Sequence, residues 1–232
     1  MSYLFNYLVV IYLGVYFQSV LIKNENSKLC PTEEALIKAG LIDVESLGGN
    51  KIRVDLKYSG IDNFLGKDIY GCLDRAYLQP EVARKLKRAS DKLQKEHSGF
   101  VLLVYDAARP SWAQQALWDN IDKPENVKHV YVADPKLGSI HNYGAAIDLT
   151  IADQNGIPLD MGTPYDYFGI LAQPRCETAC LKKNELSLLQ VSNRKLLRRI
   201  MTSSGFQSIS SEWWHFNFCS LKMAKSKYVK LT

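Results

Sequence analysis

Between Gln79 and His97 the apolar residues Val82, Leu86, Ala89 and Leu93 recur at helical spacing, with Lys, Arg and Glu between them. This pattern predicts an amphipathic helix, with Pro80 in its first turn and Gly99 as its stop. Asn184–Ser203 predicts a second such helix. Leu188, Val191, Leu196 and Ile200 form its apolar side, Arg194, Lys195, Arg198 and Arg199 its wet side, and Gly205 ends it. Phe100–Tyr105 is a short continuous apolar run and predicts a buried strand. Alternation takes over at Ile52–Tyr58. It returns after Gly144, where Ala146, Asp148 and Thr150 interleave with Ile147, Leu149 and Ile151. Both stretches predict strands.

Shorter signals fill the gaps. Thr32–Ala39 predicts a helix capped by Thr32, and Ser111–Trp118 one capped by Ser111. Asp153-Gln154-Asn155-Gly156 predicts a hairpin turn. Phe206–Ile209 and Trp213–Phe218 predict strands. In the latter, Trp214, Phe216 and Phe218 share one face and Trp213, His215 and Asn217 the other. The polar stretch 119–139 predicts a loop or flap, and the basic tail from Lys222 a frayed end. Together these predict an α+β domain over residues 29–232: a mainly antiparallel sheet flanked by helices.

The first 28 residues differ in kind. Tyr3–Ile22 carries no charge, and Lys23–Lys28 turns abruptly polar. The contrast predicts a secretory signal peptide or an N-terminal membrane anchor, hence export to the periplasm or cell envelope and membrane association through this run. No Lys or Arg precedes the run, and no clear A-x-A cleavage site follows it. In an oxidising compartment the five cysteines become candidates for pairing, Cys176 with Cys180 and Cys30 with Cys72. Buried free thiols are the alternative. The net charge of +5 comes without a dense Lys/Arg block interleaved with aromatics, so no nucleic-acid partner is expected.

Chemistry concentrates in two places. His141 lies seven residues before Asp148, and Glu212 lies three residues before His215. The chain has four histidines, and the other two, His97 and His129, sit in polar settings. Two imidazoles and one carboxylate, with a second carboxylate left over, make the composition of a catalytic zinc site.

The motifs carrying these residues are Ser139-x-His141-x-x-Gly144-x-Ala146-x-Asp148 and Glu212-x-Trp214-His215. Asp55-Leu56-Lys57-Tyr58 with Asp62-Asn63-Phe64-x-Gly66, Asp106-x-x-Arg109-Pro110, Met161-Gly162-x-x-x-Asp166 and Ser204-Gly205-Phe206 stand in order around them. This ordered set resembles the zinc D-alanyl-D-alanine dipeptidases, the VanX-like group of peptidase family M15 within the DD-peptidase/hedgehog-type metallopeptidases. The resemblance covers roughly Asp55 to Phe218.

It implies one Zn2+ held by His141, Asp148 and His215. It implies Glu212 as the general base that takes a proton from the attacking water and hands it to the leaving amine, and Arg109 as the oxyanion stabiliser. The implied substrate is a small D,D-dipeptide, D-Ala-D-Ala, with Asp166 and Tyr58 at its ammonium and Ser139 in a hydrogen bond to it. Where related proteins commonly carry an aromatic before the arginine, this chain has Ala108, which is expected to widen the pocket. The rival expectations are a DD-carboxypeptidase acting on longer muropeptides and a non-catalytic, zinc-stabilised binding domain.

Overall fold

The structure is a computed structural model that describes residues 30–232. The apolar run Tyr3–Ile22, and the leader expectation built on it, lie outside these residues. Among the described residues no helix is long and apolar enough to cross a membrane.

In chain order the helices and strands are α1 (Pro31–Lys38), β1 (Ile42–Asp43), α2 (Glu45–Gly48), β2 (Ile52–Val54), β3 (Tyr77–Leu78), α3 (Pro80–Glu96), β4 (Phe100–Asp106), α4 (Ser111–Asn120), β5 (Ala146–Asp153), α5 (Glu177–Lys182), α6 (Leu188–Ser203), β6 (Gln207–Ser208), β7 (His215–Asn217) and α7 (Leu221–Lys227). Short 3₁₀ turns intervene. The main sheet has the order β2-β4-β5-β7-β6, and β1 pairs with β3 in a small ribbon. Only β2–β4 is parallel; every other pairing is antiparallel. This is the α+β architecture that the hydrophobic pattern predicts.

The two long helices and the central strands make the core. α3 buries Val82, Leu86, Ala89 and Leu93 on one stripe, and α6 buries Val191, Leu197, Ile200 and Met201. α3 packs on β4, α6 packs on β5, and the two helices touch each other. On β5 every residue from Ala146 to Ala152 is buried, so both faces of the strand are covered.

Several local expectations are corrected. Asp148 and His215 lie on inner strands of the sheet, because β5 is its middle strand and β6 extends the sheet beyond β7. β2 ends at Val54, and a 3₁₀ turn at Lys57–Ser59 then turns Tyr58 inward. Thr32 lies inside the first turn of α1 rather than capping it. The Ser111 hydroxyl makes no cap; it donates to the Leu231 carbonyl at 2.6 Å. The second long helix begins at Leu188, where Ser187 and Gln190 form a reciprocal capping box. The strand predicted over Trp213–Phe218 is confined to His215–Asn217.

The basic tail is ordered into α7. Beyond it, Leu231 N–H donates to Asn142 O at 2.8 Å. The expected Cys176–Cys180 and Cys30–Cys72 disulfides are not formed, since Cys72, Cys176 and Cys180 are free thiols. Cys176 and Cys180 instead pack in a small apolar cluster with Leu171, Leu186 and Val191.

Arg194 is the largest departure. The charge pattern predicts it on the wet side of its helix, and it is fully buried. It stands three residues after Val191 and three before Leu197, so helix geometry carries it to the apolar stripe.

Candidate active site

Three strands bring carboxylates and an imidazole into one cross-strand row. Asp106 on β4 is opposite Asp148 on β5, and Asp148 is opposite His215 on β7. Asp106 reaches this register through an irregularity in β4 between Val104 and Asp106. Such bulges re-aim side chains next to functional sites.

His141 arrives from outside the sheet, on the 3₁₀ turn Ile140–Tyr143. The Ser139 hydroxyl accepts from His141 N–H at 3.3 Å, and Ser139 N–H donates to Asn142 Oδ1 at 2.8 Å. Gly144 closes the turn at φ +62°, in the left-handed region. A Cβ there would come within 3.0 Å of Leu41. Asn142 also donates to the Arg109 carbonyl at 2.8 Å, and Arg109 N–H donates to the His141 carbonyl at 3.0 Å, which joins the two segments.

His141 Nε2, Asp148 Oδ1 and His215 Nδ1 converge. The separations are 3.2 Å between the nitrogens, 3.4 Å from His141 to Asp148 and 2.8 Å from His215 to Asp148. The opposite ring nitrogens are occupied: His141 Nδ1 donates to the Ala107 carbonyl at 2.7 Å, and His215 Nε2 donates to Asn217 Oδ1 at 2.8 Å. With both rings neutral, as metal binding requires, each turns a lone pair toward the other and toward a carboxylate, the place that a proton on His215 Nδ1 takes otherwise. Lone pairs at that distance repel unless a cation lies among them.

Tetrahedral zinc, with bonds of about 2.0–2.1 Å, holds its ligand atoms roughly 3.3 Å apart. The donor set, its spacing and the oxygen acceptor behind each imidazole all fit that ion. Burial opposes ionisation of Asp148, but the two histidines override it and hold its carboxyl well below the usual range. Burial pulls His215 down, and the hydrogen bond and charge of Asp148 outweigh it, raising the imidazole to about 9.

A cavity of about 290 Å³ opens over this centre. It lies near the lower end of the roughly 300–1,000 Å³ that small-molecule sites span. Tyr58, Arg109, Ser139, His141, Asp148, Asp166, Glu212 and His215 all line it, so the structure brings the eight predicted residues to one pocket. Burial, with the nearby Asp148 charge, pushes the Glu212 carboxyl up, while His215 pulls it down less strongly. Arg109 is buried; its Nε donates to Asp106 Oδ2 at 2.9 Å and its Nη1 to Gln114 Oε1 at 3.0 Å. Its guanidinium lies over the Tyr58 ring at 5.1 Å. The ion pair with Asp106 and the position in the pocket wall thus coexist. Asp166 accepts from the Tyr58 hydroxyl at 3.0 Å, and burial, with the Asp148 charge, pushes its carboxyl well above the ordinary value.

Ala108 does not line the pocket. It is buried, and its N–H donates to the Tyr77 carbonyl at 2.9 Å, so the expected widening there is not seen. Trp214 does line it, packing at 5.4 Å from Tyr165, because the chain is not yet extended strand at that residue. The 119–139 stretch contributes Tyr131, Val132 and Ala133 to the wall.

Other residues support the site without having been predicted for it. Tyr165 donates to Asp148 Oδ2 at 2.9 Å, and Tyr70 donates to Asp106. Gln114 ties Arg109 to the Ala133 carbonyl. Asn217 stands two residues after His215 on a strand, and that alternation is a signal that could have found it. Nothing in the sequence around Gln114 marks its role.

The Peptidase_M15 family model, described as D-ala-D-ala dipeptidase, matches residues 37–230. A D-alanyl-D-alanine dipeptidase of Escherichia coli (strain K12) is 38% identical over 165 residues, covering 71% of this chain and 78% of that protein. One from Enterococcus faecium is 33% identical over 183 residues, covering 71% and 85%. Among solved structures, the LdcB LD-carboxypeptidase aligns with a TM-score of 0.36 at 23% identity, over 65% of this chain and 63% of that one.

Proposed function

The chain belongs to the D-ala-D-ala dipeptidase family Peptidase_M15, and from that membership we propose that it hydrolyses D-Ala-D-Ala to two D-Ala in peptidoglycan metabolism. The observation that carries the reading is the convergence of His141 Nε2, Asp148 Oδ1 and His215 Nδ1 in the pocket that Glu212 and Arg109 also line. His141, Asp148 and His215 would hold the zinc. When bound, the metal supplies Lewis-acid polarisation of the scissile carbonyl and lowers the pKa of water.

The chain's own side chains do the rest. Glu212, with its carboxyl pushed toward neutrality, takes a proton from the attacking water and returns it to the leaving amine. Arg109 is held rigid by Asp106 and Gln114 and presents a permanent charge to the developing oxyanion. Asp166, backed by the Tyr58 hydroxyl, receives the substrate ammonium, whose charge relieves the cost of ionising a buried carboxyl. The Ser139 oxygen is used in capping the His141 turn, so its O–H is the group that faces substrate.

One observation favours the DD-carboxypeptidase rival. A second cavity, of about 770 Å³, lies beyond Asp166 and shares Phe64, Asp166 and Phe168 with the first. A longer peptide would need such space on the ammonium side. Incubating the zinc-loaded protein separately with D-Ala-D-Ala and with a pentapeptide ending in D-Ala-D-Ala separates the two. Release of D-Ala from the dipeptide is expected, and cleavage of the pentapeptide alone overturns the dipeptidase reading.

Replacing Glu212 with Gln should lower kcat by about 10²–10⁴-fold and leave bound zinc near one equivalent. Undiminished turnover would refute the assigned base. We also propose export or membrane attachment through Tyr3–Ile22. N-terminal sequencing of the protein from fractionated cells tests this, and an intact Met1 in the soluble cytosolic fraction would exclude it.

A further inference from the structure

Residues 161–171 form the wall that carries Asp166 and Phe168 into the pocket and Tyr165 onto Asp148, and both ends of this segment meet one side chain. Arg194, fully buried on α6, donates from Nε to the Met161 carbonyl at 2.6 Å and from Nη1 to the Leu171 carbonyl at 2.7 Å. Its guanidinium lies 5.9 Å from the Trp213 ring, and Trp213 in turn donates to Thr163 Oγ1 at 2.8 Å. Earlier on the same helix, Gln190 donates to Asp160 Oδ2 at 2.8 Å and Asn193 to the Asp160 carbonyl at 2.9 Å.

We infer that Arg194 is a positioning residue: by fastening the carbonyls of Met161 and Leu171 to α6, it sets where Asp166 stands in the pocket and where Tyr165 meets Asp148. Three observations point the same way. First, core packing alone would not place a cation here, since Val191 and Leu197 fill the same stripe with apolar groups, and a buried charge costs far more than either. Second, no carboxylate forms a direct ion pair with Arg194 among the described residues, although the Glu177 and Asp160 charges act on it from farther off. Glu177 is engaged by Arg198 at 2.7 Å, and Arg194 gives Nε and Nη1 to the two loop carbonyls while its buried Nη2 finds no partner. Third, Asp166 holds φ +58°, a left-handed conformation that a non-glycine residue keeps only where its surroundings impose it. A planar fork of fixed donors suits the task, because it sets the separation of the two carbonyls it binds.

The kinetic consequence rests on the dipeptidase reading, and the test separates the two. Zinc-loaded wild type, Arg194→Met and Arg194→Lys are compared in kcat and KM for D-Ala-D-Ala, hydrolysis of N-acetyl-D-Ala-D-Ala, zinc content and amide hydrogen exchange. Arg194→Met should raise KM about tenfold or more, with kcat within about threefold, the signature of lost binding rather than lost chemistry. The preference for a free over an acetylated amine should shrink in this variant. Zinc should remain near one equivalent, and amides of 162–170 should exchange faster while those of β4 do not. Arg194→Lys, which keeps the charge without the fork, should fall between Arg194→Met and wild type.

Unchanged kinetic constants, or a loss of thermal stability with unaltered exchange in 162–170, would overturn the inference. If wild type proves inactive on the dipeptide, the dipeptidase reading fails, and exchange still decides: faster exchange confined to 162–170 supports the fastening, and unaltered exchange refutes it. If both variants lose their far-ultraviolet circular dichroism, the guanidinium is a general core element and the positioning role falls.

Discussion

Each histidine of the centre has one nitrogen for a metal and the other committed to an oxygen. For His215 that oxygen is Asn217 Oδ1, at 2.8 Å. Removing it in Asn217→Ala leaves the ring free to rotate and to adopt the wrong tautomer. Loss of such a partner typically costs about 10–100-fold in metal affinity, and a competition titration against a zinc chelator would measure it. The cluster of His141, Asp148 and His215 was legible in the sequence, because imidazoles and carboxylates are scarce near buried strands and their spacing was distinctive. Tyr165 and Gln114 were not, because a tyrosine or glutamine reads the same whether it packs, solvates or holds a neighbour in place. Arg194 was misread for a related reason. Its positive charge outweighed a spacing that already put it between Val191 and Leu197.

The long elements were legible because one period repeats often enough to be counted, as on α3 and β5. The short ones were not. β7 has three residues and the turn bearing His141 four, too few for any periodicity. The tail failed for another cause: its lysines suggested solvent, yet contacts distant in sequence order it. Glu81 on α3 pairs with Lys227 of α7 and accepts from the Tyr228 hydroxyl.

The hydrogen bond from Lys227, then that from Tyr228, lowers the Glu81 carboxyl from 4.5. A lowered acid stabilises the fold above its unfolded value and loses that contribution as pH falls through the folded one. Lys227 is 47% exposed, so solvent screening limits the gain. Glu81→Gln should cost roughly 0.5–1 kcal/mol at neutral pH and nothing once wild-type Glu81 is itself protonated. Urea unfolding of both proteins at pH 7 and at the acid end of the range where both still fold would show the difference shrinking.

At the scale of the whole molecule, the pocket draws on residues from Tyr58 to Leu221, gathered from segments far apart in sequence. Their convergence could be read from motif order; the closing of the walls could not, since it depends on long-range contacts such as Gln114 with Ala133. The His141, Asp148 and His215 donor atoms converge only in the folded chain, so zinc should stabilise the folded state by mass action. Free zinc at a hundred times its dissociation constant would contribute about 2.7 kcal/mol. For a domain of this size, that corresponds to a fall in Tm of roughly 5–10 °C on chelation. Calorimetry with and without chelator measures it, and an unchanged Tm would contradict the assigned metal site.

The Leu231 clasp bears on how the protein is made. Its N–H holds the Asn142 carbonyl, one residue past His141, and its carbonyl takes both the amide and the hydroxyl of Ser111. A ribosome delivers His141 and Asp148 long before it delivers Leu231. While Leu231 is still unmade, the turn that aims His141 lacks its outer brace. Metal loading should therefore wait until Leu231 has been made, and a chain shorter than that would aim His141 less firmly.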